Sequence, residues 1–88
     1  MSKSPTEKRT LKALGLKLRE ARSKRHLTQE SVAETAKMSR IYYNGIENGN
    51  RNVSFINIIR IIQALGVESS DEILDLPYIK ACQETDNA

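Results

Sequence analysis

At 88 residues the chain has room for one hydrophobic core and excludes a second domain. Apolar residues at 39% and charged residues at 28% describe a soluble globular chain rather than a disordered one. Absent tryptophan, 5% aromatics and no run of alternating polarity weigh against an all-β fold, while a formal net charge of +3 gives no clear partner.

The charge is unevenly placed. Residues 1–25 hold nine Lys/Arg against Glu7 and Glu20, a net +7, whereas residues 68–88 hold Lys80 against six acids, a net −5. Such polarity suggests one end facing a polyanion; a solvated basic helix followed by an acidic tail is the simpler alternative. Residues 1–7 read as a flexible basic arm whose Lys3 is joined by Lys8 and Arg9 just beyond it, with no apolar stretch of the secretory kind. No segment is apolar enough to span a bilayer, and the single Cys82 supports neither a disulfide nor a metal cluster, so a reducing, cytoplasmic setting is expected.

Residues 8–25 carry Leu11, Leu14, Leu18 and Ala21 on one stripe and predict the first helix, with Gly15 a local cost in its middle. Thr28 is a good N-cap for a second helix over 28–36, and Ser39 caps a third that runs to about Glu47 with Tyr43 and Ile46 inward. Gly49 closes the third helix, and residues 50–53 form a polar loop. Ser54 caps a fourth helix whose inner face is read as Phe55, Ile58, Ile61, Ile62 and Leu65, ended by Gly66. A short fifth helix is expected at 71–75, stopped by Pro77, and residues 80–88 are expected to form a polar tail. The fold class is therefore all-α, a compact five-helix domain over 8–79 with a helix-turn-helix made by the second and third helices.

The residues are more specific than the pattern. Leu27-Thr28-Gln29-Glu30-Ser31-Val32-Ala33, then Met38-Ser39-Arg40, then Ile46-Glu47-Asn48-Gly49, then Ala64-Leu65-Gly66-Val67 resembles the phage-repressor (Cro/CI-like, XRE) helix-turn-helix family. The stretch from Ser39 to Glu47 followed by Arg51-Asn52-Val53-Ser54 is similar to one branch, the controller proteins of restriction–modification systems, although related stand-alone repressors share much of it. Two departures stand out. The family usually has glycine where this chain has His26, and often has it where this chain has Lys37.

The resemblance implies a third helix seated in the major groove, with Arg40, Ile41 and Asn44 at base edges. Arg40 suits guanine, Asn44 suits adenine, and Ile41 suits a thymine methyl. Gly45 offers no side chain there, so readout at that position is absent or made by close backbone approach. Backbone phosphates fall to Thr28, Gln29 and Ser31 at the start of the second helix, to Tyr42, and to Asn50, Arg51, Asn52 and Ser54 beyond the third. Arg22 and Glu47 align with a structural salt bridge. Ile56, Ile59, Leu76, Tyr78 and Ile79 exceed what one core needs and are assigned to a homodimer interface.

The function expected is a sequence-specific transcriptional regulator that reads two half-sites of a roughly palindromic double-stranded operator as a homodimer. RNA polymerase is a further candidate partner. The alternative is an antitoxin-type DNA-binding protein whose main partner is a toxin. With one His, one Cys and no phosphate loop, no enzyme, cofactor, metal, small-molecule ligand or membrane association is expected.

Overall fold

A computed structural model describes residues 3–84 and is helical throughout. Helices α1 (Pro5–Lys24), α2 (Gln29–Thr35), α3 (Arg40–Glu47), α4 (Phe55–Leu65) and α5 (Leu76–Glu84) follow in order, with a single 3-10 turn at Ser70–Glu72 before α5.

The helix starts follow from side-chain oxygens placed to accept otherwise unbonded backbone N–H groups. Thr28, Ser39 and Ser54 cap α2, α3 and α4 through the N–H groups of Ser31, Tyr42 and Asn57. At α1 the cap is Ser4, in a reciprocal box with Glu7 and with Pro5 in the first turn. The helix therefore begins three residues earlier than its apolar stripe suggests. Residues 5–7 of the expected arm are helical, Lys8 and Arg9 lie within α1, and Met1 and Ser2 fall outside the described residues.

The helix ends share one device. After α1, α2, α3 and α4 the chain turns through a positive φ at His26 (55°), Lys37 (63°), Gly49 (76°) and Gly66 (74°). Each turn is closed by the two backbone bonds of a Schellman motif; Leu27 N–H donates to the Arg22 carbonyl at 3.2 Å and Met38 N–H to the Ala33 carbonyl at 3.0 Å. Leu27 and Met38 then pack on the core, the hydrophobic contact that accompanies this ending. So His26 and Lys37 do adopt the conformation that glycine would have eased.

The C-terminal third corrects the sequence reading. No helix occupies 71–75; the 3-10 turn covers Ser70–Glu72, and α5 extends from Leu76 through Glu84 into the expected polar tail. Pro77 begins a helix instead of ending one, because in the first turn its missing N–H has no helical partner to lose. Asp75 supplies the cap, its Oδ1 accepting the Tyr78 N–H at 3.1 Å. Residues 85–88 lie outside the described residues.

The core forms where α1, α2, α3 and α4 converge, with Leu18, Val32, Tyr43, Ile46, Ile61 and Ile73 its largest fully buried side chains. Phe55 is not among them. It is 73% exposed, since as the first residue of α4 it projects beyond the end of the packed stripe that begins at Ile58. Gly15, read as a local cost, is a contact: a methyl group there would collide with the Glu47 and Ile46 carbonyls, so α1 lies directly on the end of α3.

Candidate nucleic-acid interface

Helix α3 divides cleanly. Tyr43 and Ile46 are buried, while Arg40 and Ile41 are exposed, Ile41 at 72%. Asn44, one turn beyond Arg40, is half-buried on the same outer face. None of the three side chains makes a hydrogen bond or ion pair with another described residue.

What holds this face is a buried charge. The Glu47 side chain is fully buried, and its carboxylate accepts from Arg22 Nε at 2.7 Å and Nη2 at 3.2 Å, and from Gln29 Nε2 at 2.9 Å. Arg22 also donates to the Leu27 carbonyl at 2.9 Å. One carboxylate thus ties the end of α3 to α1, to the turn after α1 and to the start of α2. Burial works to raise the Glu47 pKa, but the hydrogen bonds from Arg22 and Gln29 outweigh it and hold the group below its ordinary value. Burial, reinforced by the facing Glu47, pushes the Tyr43 phenol up.

The structure brings the expected backbone-contact residues together in two places. At the start of α2, Thr28 is exposed, Ser31 Oγ donates to the Thr28 carbonyl at 3.1 Å, and Gln29 is already engaged with Glu47. After α3, Asn50, Arg51, Asn52 and Ser54 are all exposed. That loop is tied back by Tyr42, whose hydroxyl donates to the Asn52 carbonyl at 3.3 Å and accepts from Asn57 Nδ2 at 3.2 Å. The sequence reading missed Asn57 in this role; a polar residue interrupting the apolar run of α4 was the available signal.

Much of the basic end is neutralised within the chain. Arg25 pairs with Glu72 at 2.8 and 3.0 Å, Lys24 approaches the same carboxylate at 3.8 Å, and Lys17 lies 3.6 Å from Asp75. Hydrogen bonds from Arg25 hold Glu72 below its ordinary pKa. The C-terminal acids therefore answer Lys17, Lys24 and Arg25, while Arg40 and Arg51 are among the cations without an ion pair among the described residues. No group of three metal-ligating side chains occurs among the described residues, and no helix among them is long and apolar enough to cross a membrane.

Comparison with known proteins decides the type. A helix-turn-helix family model matches residues 18–72, which contain α2, α3, α4 and the Glu47 hub. The chain belongs to the helix-turn-helix family. It is 42% identical over 71 residues to control protein C.BamHI of Bacillus amyloliquefaciens, covering 80% of this chain and 86% of that one. It is 43% identical over 63 residues to control protein C.MunI of a Mycoplasma species, covering 70% and 85%. Among solved structures, the restriction–modification controller C.AhdI of Aeromonas hydrophila superposes with a TM-score of 0.69 at 38% identity, over 73% of this chain and 96% of that one. This helix-turn-helix protein is thus a DNA-binding regulator of the controller type and not an enzyme. The antitoxin reading finds no support in these three relatives, each of which is a controller.

Proposed function

We propose that the chain binds a roughly palindromic operator as a homodimer and, by occupying it, controls the genes of a restriction–modification system, its own among them. The observation that carries the reading is the unpartnered Arg40, Ile41 and Asn44 face on a helix anchored through Glu47. Side chains free of internal bonds on a fixed support are what base readout requires. Thr28, Gln29, Ser31, Tyr42, Asn50, Arg51, Asn52 and Ser54 hold phosphates and set the register without reading sequence. Ile56 at 59% and Leu76 at 71% exposure, with half-buried Ile59, Tyr78 and Ile79, form the surface that pairs two copies. Two α3 helices then reach half-sites about one helical turn apart. Occupancy excludes or recruits RNA polymerase, the work of a cytoplasmic protein.

Footprinting the DNA upstream of the chain's own gene at two salt concentrations tests this. A two-fold symmetric footprint that weakens steeply with salt is expected. Protection of random DNA with equal affinity overturns the reading.

A further inference from the structure

Position 45 is the one place on the outer side of α3 where the helix carries no side chain, and the space is occupied. A Cβ built on Gly45 would stand 2.6 Å from Cγ of Arg51, with Cβ and Nε of the same arginine the next nearest atoms at 3.7 and 3.6 Å. The stem of Arg51 therefore lies across α3 in the slot the glycine leaves. Beyond it, the guanidinium carbon sits 5.9 Å from the centre of the Tyr42 ring, within the range of a cation–π contact. Residues 42 and 45 are three apart on one helix and share a face. The ring is fixed in turn, through its hydroxyl, to the Asn52 carbonyl and to Asn57. Gly45 supplies the bed, Tyr42 the platform, and Arg51 is laid over both.

We infer that Gly45 is a positioning residue for DNA binding: its missing side chain lets Arg51 lie ordered against the reading face of α3 before DNA arrives. The inference rests on the operator-binding reading above and names how one of its contacts is made. An arginine free in a loop loses rotamer freedom when it grips a phosphate, whereas one already ordered loses less. The slot is filled by the chain's own arginine, at a position where the sequence leaves readout absent or made by close backbone approach.

Gly45→Ala separates this role from a structural one because the two push in opposite directions. Alanine favours the interior of a helix over glycine, and the atom it displaces belongs to an exposed side chain able to swing away. The variant melts at or above the wild-type temperature while its operator affinity falls about tenfold. In the Arg51→Ala background the same substitution changes affinity less than twofold, since there is no arginine left to displace.

Three results would overturn the inference while leaving the regulator reading intact. One is equal loss in both backgrounds, which means the methyl group meets DNA itself. Another is undiminished binding by Gly45→Ala. The third is a lowered melting temperature, which means the helix gives way and not Arg51. Failure of the wild-type chain to protect any operator sinks the regulator reading first, and this inference with it.

Discussion

The Arg22 guanidinium meets the Glu47 carboxylate through two bonds, Nε at 2.7 Å and Nη2 at 3.2 Å, with the carboxylate fully buried and the arginine side chain 16% exposed. Breaking such a pair from one side leaves a charge without its partner, which costs more than the pair itself is worth. Glu47→Ala is expected to lower the unfolding free energy by about 3 kcal/mol. Urea titration reads this as a lower midpoint at an unchanged slope. A loss below about 1 kcal/mol, the level of an exposed pair, would show the bridge to be incidental.

Glu47 and Glu72 are both held below the ordinary glutamate range in the folded chain. An acid whose folded value is depressed contributes stability above its unfolded value, about 4.3, and that contribution fades as pH falls through the folded value. The unfolding free energy should thus decline on acidification below about pH 4.3. In Glu47→Gln the decline should be shallower. Identical acid limbs in the two proteins would contradict the assignment.

Lys37 holds a φ of 63° that costs a side-chain-bearing residue roughly 1–2 kcal/mol. Glycine removes that cost but loses more freedom on folding, about 0.4–1 kcal/mol. Lys37→Gly should therefore gain close to 1 kcal/mol, or about 4 °C in melting temperature for a domain of this size. His26→Gly, in the turn that closes α1, should add a similar amount, and scanning calorimetry on the pair of single variants and the double checks both.

Arg40 and Gln29 should fail differently. Arg40→Ala removes the proposed base reader and should relax discrimination at one base pair per half-site by about 1–3 kcal/mol. Gln29→Ala should weaken binding to every sequence alike and, because the amide carries no charge, leave the salt slope unchanged. Because Gln29 also bonds Glu47 at 2.9 Å, its loss should cost about 1 kcal/mol of stability as well. Binding titrations on a panel of operator variants, with parallel melts, distinguish the two.

Ile56 is 59% exposed, so Ile56→Glu should barely alter the melting of a single chain while placing a charge in the proposed pairing surface. Sedimentation should then show the dimer displaced toward monomer. An unchanged mass would move the interface elsewhere.

Helices α2, α3 and α4 were legible because each opens on a Ser or Thr whose side chain has a single evident use, and because Gly49 and Gly66 mark two of the three ends. The Arg22–Glu47 pair came from the family resemblance and is present. Pro77 was misread because the same residue that cannot continue a helix is well suited to begin one, and only the Asp75 cap tells the cases apart. Phe55 fitted the apolar stripe of α4 by periodicity, but periodicity does not say how far along a helix its neighbours reach. The Arg25–Glu72 pair joins residues 47 apart and left no local pattern to find. Gly15 was hidden for a related reason: its use lies in the carbonyls of another helix.

The side chains assigned to bases, those of Arg40, Ile41 and Asn44, make no hydrogen bond or ion pair with another described residue. Everything that fixes α3 lies on its opposite side or at its ends. The scaffold and the address it reads are therefore written in separate residues. On the proposed assignment, substitutions at these three positions should alter which operator is bound with little effect on folding.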